Sequence, residues 1–433
     1  MLSIRRTQLE SALLACLVVV SSACSSSSPA ARAGNVLRIG VDLPLSGRET
    51  RAATPAVEGV RFFVQTHPTL DGFPVHLAVT DDAADPARGV SNVNRLLADP
   101  TVVAMIGPFD GAVARKEIPV ANAASLAMIS PATGNPCLTR DVYLPALLNP
   151  SRTAITCKEA GLPPASELRP SGTNNFFRLA ATDELQGAAA ADFAFDTLHV
   201  LRAAVISDHE SYGQGLAAAF SARFGRRGGS VVARLDVAGT DVATFLARAK
   251  TEGAQAVYYG GATAAGCSIR AQMSSVFGAG EAAPFLGGDG VAHDPRCVLA
   301  AGANSAGIYA TVPFPDADAL PGAVATINAF RAAFGSTAAY GPYTMLAYDA
   351  TAVVYAALDR AIRAGAGAPP DRADVLAQVA RTSGLAGVTG SLGFDANGDT
   401  TNPVITVFEA PSGDERAPWK PAGTVDYGAR LPY

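Results

Sequence analysis

The chain has little lysine. Its four lysines are Lys116, Lys158, Lys250 and Lys420, and every other basic side chain is an arginine. Charged residues make up only 16% of the chain and the formal net charge is −5, so it lacks the basic surface that nucleic acid requires. Low charge does not mean disorder here, because 49% of the residues are hydrophobic, enough to bury a core. No C-x-x-C or histidine-spaced cysteine pair occurs among the six cysteines, which argues against a metal centre. The five histidines (His67, His76, His199, His209, His293) are scattered. No G-x-S-x-G elbow, Walker A loop, H-E-x-x-H or post-strand G-x-G-x-x-G appears. Nothing supports an enzyme, and no cofactor is expected. Carboxylate pairs such as Asp81/Asp82 have no nucleophile placed beside them by the sequence.

Long apolar runs are also short of a membrane span. Ser11–Val20 (SALLACLVVV) follows Arg5 and Arg6 and fits the core of a signal peptide. It ends in Ser21-Ser22-Ala23-Cys24 and a serine-rich tether, which resembles a bacterial lipoprotein lipobox with Ser21 in place of the usual leucine. Residues 1–23 read as the signal peptide and 24–35 as a tether lipidated at Cys24. Leu13-Leu14-Ala15-Cys16 fits the pattern locally, but four apolar residues follow it; ordinary secretion with a shorter peptide is the other reading. Export leaves Cys137, Cys157, Cys267 and Cys297 in an oxidising compartment, where three pairings exist. Pairing of sequence neighbours, Cys137–Cys157 and Cys267–Cys297, is the simplest.

What the chain does have is β-α alternation, enough of it for two or three domains in 433 residues. The stretch 102–133 sets the pattern: a buried strand (VVAMI), a turn (GPFDG), an alanine-rich helix, a second strand (SLAMI) and a second turn (SPAT). Parallel strands joined by a helix put both turns on one sheet edge. Gly107, Gly111, Ser130 and Thr133 are small there, so backbone N–H groups can face a ligand at a helix N-terminus.

Before that stretch come a strand over Asn35–Asp42, a helix over Thr54–Gln65, a strand over Phe73–Asp81 and a helix over Pro86–Ala98 with proline at its start. This order predicts a doubly wound parallel sheet. Between Thr139 and Asn175 the alternation breaks into a segment rich in Pro, Ser, Asn and Gly. It reads as a surface excursion stapled back by Cys137–Cys157, or as a lid facing a ligand. Alternation resumes with helices over Asp183–Leu198, Ser211–Gly225 and Asp241–Lys250 and strands over Val200–Ser207, Ser230–Asp236 and Ala254–Gly260. Asp183 is placed as an N-cap. Two more short strands, Pro284–Leu286 and Gly307–Val312, complete a second set of loops. A long helix over Tyr343–Ala364 carries an apolar stripe, Tyr343 included, over roughly 30 Å, and reads as core. Phe394–Asp399 is a tight turn without the closing glutamate of an EF-hand loop.

Several local pieces now point one way. LPLSG (43–47), DDAADP (81–86), MIGP, ISPAT, FFRLAATDELQG (176–187), SDHESYGQG (207–215), VYYGG, FLGGDG (285–290) and AYDA (347–350) follow in order. Together they resemble the branched-chain-amino-acid-type (Leu/Ile/Val-binding) periplasmic substrate-binding proteins of ABC transporters, over residues 36 to 410. The resemblance implies the type I fold: two Rossmann-like α/β lobes joined by three crossovers, closing on a ligand by hinge motion. The crossovers fall near Arg178–Ala180, Val312–Phe314 and Ala386–Thr389, giving lobe 1 as 36–178 plus 314–386 and lobe 2 as 179–312 plus 387–433.

The resemblance also implies site residues. Asp289, with Gly290, maps to the acid that holds a ligand ammonium, although it also fits a turn aspartate among glycines. Tyr212 maps to a pocket wall, or packs locally at a helix start. Ala132 and Thr133 map to backbone amides and a hydroxyl for a ligand carboxylate, and Thr133 equally fits a turn cap. The chain departs from its relatives in three places. Gly111, beside Asp110, stands where they carry a carboxylate-binding serine; an aromatic is replaced near Ala52; and a tyrosine is replaced by Ala262 or Thr263. An acid at Asp110 is unfavourable beside a carboxylate unless it points away. The expected protein is an exported, lipid-anchored, monomeric binding component at the outer face of the cell membrane or in the periplasm. It would present an amino-acid-like molecule to an ABC permease; the alternative is a sensory lipoprotein that transports nothing.

Overall fold

Two parallel sheets organise the chain. The structure is a computed structural model and describes residues 36–236, 241–261, 263–278, 283–335 and 340–428. The first sheet grows from β1 (Leu37–Leu43), α1 (Thr50–Thr66), β2 (Thr69–Leu70), β3 (Phe73–Asp81), α2 (Pro86–Ala98), β4 (Val102–Ile106), α3 (Gly111–Ala123) and β5 (Ala127–Ser130). An excursion holding β6 (Val142–Leu144) and β7 (Ile155–Thr156) separates β5 from β8 (Phe176–Arg178). The sheet order is β2-β3-β1-β4-β5-β8, parallel except for β2. Every position of β4 and β5 is buried, as expected of strands covered by helices on both faces. Asp85 starts α2 by accepting from Ala87 N (2.8 Å) and Arg88 N (3.0 Å), with Pro86 at the position where a missing N–H costs nothing.

The second lobe holds α4 (Asp183–Asp196), β9 (Arg202–Ser207), α5 (Ser211–Arg227), β10 (Ser230–Asp236), α6 (Val242–Thr251), β11 (Ala256–Gly260) and α7 (Thr263–Phe277). After these come β12 (Phe285–Gly287), α8 (Pro295–Ala301) and β13 (Ile308–Val312). The chain then returns to the first lobe for α9 (Val324–Phe334), α10 (Thr344–Ala364) and α11 (Arg372–Val379), and passes a small hairpin, β14 (Leu385–Gly387) and β15 (Gly390–Leu392). It ends in β16 (Val404–Glu409) and β17 (Lys420–Asp426). The second sheet runs β10-β9-β11-β12-β13-β16-β17, and its last two strands are antiparallel.

Three passages between the sheets are pinned by hydrogen bonds. Ala181 N donates to Pro313 O (2.7 Å), tying the first two together, and Thr406 Oγ1 donates to Phe314 O (2.9 Å). At the third, Asp349 of α10 is buried and accepts from Val388 N (2.9 Å), Thr389 N (2.7 Å) and Thr389 Oγ1 (2.6 Å). Gly59 of α1 permits a close approach to α10: a Cβ there would lie 2.1 Å from the Thr344 carbonyl oxygen.

Both disulfides join sequence neighbours, Cys137–Cys157 and Cys267–Cys297, with Cα separations of 5.8 and 4.3 Å. The excursion between β5 and β8 is thus stapled, and it does more. Leu144 and Leu148 pack among Leu185, Ala189, Ala219 and Tyr427, so a segment rooted in the first lobe lies on the second. Three helices that the periodicity did not reveal, α8, α9 and α11, fill the covering layers. Phe330 and Phe334 of α9 stack on one another and meet Phe62 of α1 edge-on.

Candidate functional site

Asp289 follows β12 on the second lobe and gathers donors from both lobes. Its Oδ1 accepts from Tyr212 Oη at the start of α5 (2.5 Å) and from Gln186 Nε2 of α4 (2.7 Å). Its Oδ2 accepts from the hydroxyl of Tyr343, at the head of first-lobe helix α10. Gln186 also donates to Thr311 O (2.9 Å), and Gly290 N donates back to Tyr212 Oη (3.3 Å). Burial, then the Asp289 carboxylate, pushes both phenols well above their usual range, so each stays a donor. Tyr343 was expected only as core. Its ring is core, against Phe109 (4.8 Å) and Phe314 (5.1 Å), but its hydroxyl closes the gap between lobes.

The first-lobe turns are already satisfied internally. Asp110 caps α3, its Oδ1 accepting from Ala112 N (2.7 Å) and Val113 N (3.0 Å), while Oδ2 lies 3.5 Å from Arg48 Nη2. The N-terminal N–H groups that the sequence left open to a ligand are therefore filled by the chain's own acid. The second turn folds inward in the same way. Ser130 Oγ accepts from Ala132 N (3.2 Å), Thr133 N (2.9 Å) and Thr133 Oγ1 (2.8 Å), and donates to Pro108 O (2.7 Å). Ser130 thus caps the turn and takes the Thr133 hydroxyl as well, and a ligand reaching these amides has to displace Ser130. At Gly111 an added Cβ would meet only Asn135, at 3.6 Å. Thr263 opens α7, Ala52 is half-buried in α1, and Ala262 and Cys24 lie outside the described residues.

Arg115 of α3 was not anticipated. Its Nη2 reaches Ser211 Oγ on the second lobe (3.4 Å), and its buried Nη1 has no hydrogen-bond partner. Burial pushes its pKa down while Asp110 pulls the other way. Burial, then the charge of Asp110, raises the Glu49 carboxyl to about 7. Asp183 was expected as an N-cap; it is instead the first residue of α4, after Thr182, and its buried carboxyl is pushed well above the usual range by burial, then by Asp289. Gly134 makes room for it: a Cβ there would sit 1.9 Å from Asp183 Oδ1. Gln186 lies within the FFRLAATDELQG stretch, whose resemblance assigned it no role, and Arg115 belongs to none of the stretches that carry the resemblance.

Next to this cleft the hinge is held by ions. Arg178, fully buried, donates to Asp399 Oδ1 (2.7 Å), Thr133 O (3.1 Å), Asn135 O (2.7 Å) and Thr139 Oγ1. Arg140 joins Glu184 (2.5 Å) to Asp399 (2.9 Å). The Phe394–Asp399 segment is a plain turn, with Asp395 Oδ1 accepting from Asn397 N and Asp399 N (2.9 Å each). Cavities of about 520 and 210 Å³ open beside the excursion and the hinge, away from Asp289.

A family model of periplasmic binding proteins matches residues 36–415. The chain belongs to the periplasmic binding protein family. Among curated relatives it is similar to Leu/Ile/Val-binding protein homolog 3 of Brucella melitensis, 27% identical over 87% of this chain and 92% of the relative. Its fold matches the leucine-binding protein LivK of Thermotoga maritima (TM-score 0.69, 23% identity, 90% of this chain and 99% of that one). It also matches a solute-binding protein of an ABC transporter from Rhodopseudomonas palustris, solved with 3,4-dihydroxybenzoic acid (TM-score 0.70, 18% identity, 91% and 98%). Two parallel-sheet lobes crossed three times by the chain are the type I architecture of these binding proteins. Members of this family bind solutes rather than transform them, and they work outside the cytoplasm. Among the described residues no helix is long and apolar enough to cross a membrane.

Proposed function

We propose that the chain is the lipid-anchored solute-binding component of an ABC importer and takes an amino acid or amino-acid-like molecule between its lobes. The observation that carries this reading is Asp289, a cleft carboxylate met by donors from both lobes, Tyr212 and Tyr343. A ligand ammonium would replace or join these donors, a charge-assisted contact worth roughly 1.5–3 kcal/mol. Arg115 supplies the opposite charge: its unpartnered Nη1 suits a ligand carboxylate that the internally bonded amides of Ala132 and Thr133 would meet only after rearrangement. The names of the relatives support an amino acid, and the basic leader with Cys24 supports a lipid anchor.

One specific feature favours a second ligand class. Phe109, Phe314 and Tyr343 pack as an aromatic cluster next to Asp289, and one matched structure was solved with an aromatic acid. A thermal-shift screen over amino acids, their amides and aromatic acids separates the two. Amino acids should raise the melting temperature, with the shift lost in both Asp289→Ala and Arg115→Met. Aromatic acids acting alone, with Asp289→Ala unaffected, would replace the amino-acid reading by the aromatic one. No shift from any compound would defeat the solute-binding proposal.

A further inference from the structure

Beneath the lip of the first lobe lie three fully buried carboxylates: Asp42 at the end of β1, Asp82 just after β3, and Glu117 on α3. One oxygen from each lies within 4.8 Å of the others. Their donors are few. Asp42 Oδ1 accepts from Thr80 Oγ1 and Asn92 Nδ2 (2.8 Å each), and Asp82 Oδ1 accepts from Ala84 N (2.7 Å). Asp42 Oδ2, Asp82 Oδ2 and both oxygens of Glu117 have no hydrogen-bond partner.

Glu117 is the telling member. It is a wholly buried side chain, neither oxygen of which receives a donor, and it points at two other acids. Buried carboxylates persist when they are paired, protonated or bound to a metal. Pairing with a base fails here, because Arg95, whose charge acts on Asp42, donates to Asn92 Oδ1 instead (2.9 Å). A proton shared between Asp42 and Glu117 would satisfy one oxygen on each and leave Asp82 Oδ2 and the other Glu117 oxygen bare. Gly89 on α2 makes room for the Glu117 carboxylate, since a Cβ there would lie 2.4 Å from Glu117 Oε1.

We propose that Asp42, Asp82 and Glu117 bind a divalent cation of the calcium class beneath the first-lobe lip. The donors are all hard carboxylate oxygens, which select calcium, magnesium or manganese over zinc or copper. With Ca–O distances of about 2.3–2.6 Å, three oxygens at this spacing can converge on one calcium with only small side-chain adjustment. The ion leaves one negative charge, which faces Arg95. It would tie the end of β1, the turn after β3 and the second turn of α3 into one unit, and these elements carry the lip that closes on Asp289.

The test uses the mature protein stripped of metal with EDTA. Calorimetric titration with calcium chloride should show one site per chain, and thermal unfolding at pH 7.5 should shift up by several degrees in 1 mM calcium relative to EDTA. Glu117→Gln, equal in size, should lose both signals while melting in EDTA no lower than the parent. Should that variant fail to fold, the titration of the parent with calcium and then magnesium decides alone. No heat of binding and equal melting in EDTA and calcium would overturn the site, leaving the triad as protonated carboxyls. A calcium shift retained by folded Glu117→Gln would overturn its location. The site is independent of the solute reading, because neither measurement includes an organic ligand.

Discussion

The hydroxyl of Tyr343, on a helix of the first lobe, donates to Oδ2 of Asp289 on the second, 54 residues earlier in the chain. With Arg115 reaching Ser211, it forms a latch across the cleft. Tyr343→Phe keeps the ring that packs on Phe109 and Phe314 and deletes only the donor. A hydrogen bond to a charged group contributes about 1.5–3 kcal/mol, enough to shift the balance between closed and open lobes at least tenfold. Small-angle scattering of the free variant should give a larger radius of gyration than the parent, at unchanged helix content by circular dichroism. Equal radii would show that the latch does not hold the lobes.

Where α1 crosses α10 the limit is backbone against backbone. The Cβ of Gly59→Ala would fall 2.1 Å from Thr344 O and 3.3 Å from Tyr348 N, neither of which can move without its helix. Overpacking of this kind costs about 3 kcal/mol. The variant should melt roughly 5 °C below the parent. Gly161→Ala serves as the control, having no atom within 4 Å of its added carbon; its positive φ of 75° restricts its cost to local backbone strain.

The sheet strands were legible because burial on both faces writes continuous apolar runs such as Val102–Ile106, and Pro86 announced its helix through its missing N–H. The lip misled for a related reason. Asp110 stands one residue before α3, a capping position, yet the glycines beside it suggested an anion site; the structure gives those N–H groups to Asp110. Tyr343 fell on the apolar stripe of α10, and periodicity reports a ring but not where its hydroxyl ends. Asp42, Asp82 and Glu117 are far apart in sequence and meet because β3, β1 and β4 are neighbours, with α3 directly after β4. Sheet order of that kind is a long-range property that no local spacing contains. Helix α9 was invisible because its partner, Phe62 of α1, lies more than 250 residues away.

Cys137–Cys157 closes a loop with a sequence separation of 20, for which chain-entropy estimates give roughly 3 kcal/mol. Its effect should extend beyond the first lobe, since Leu144 and Leu148 within that loop pack on α4 and α5. The double variant Cys137→Ala/Cys157→Ala should melt several degrees lower and show faster amide exchange in α4 and α5. Faster exchange confined to residues 137–157 would mean that the excursion does not brace the second lobe.

His293 gives the pH dependence a sign. It packs against Phe408 (4.4 Å) and Trp419 (5.7 Å), and burial lowers its pKa from 6.5 to about 4, with Asp318 opposing weakly. In the unfolded chain it takes up a proton near pH 6.5; in the folded chain it does so only near 4. Its contribution is therefore complete above pH 6.5 and is lost as the pH falls from there through about 4, a change on the order of 3 kcal/mol. The raised carboxyls, Glu49 among them, act oppositely, because a buried acid that must ionise favours the folded state at low pH. Only the difference between parent and variant isolates the histidine. Urea unfolding of the parent and His293→Gln at pH 7.5, 6, 5 and 4.5 should give a stability gap that narrows toward acid, reversing if the lost aromatic contact costs less than the avoided protonation. A gap that stays constant with pH would place the His293 ring in water rather than between Phe408 and Trp419.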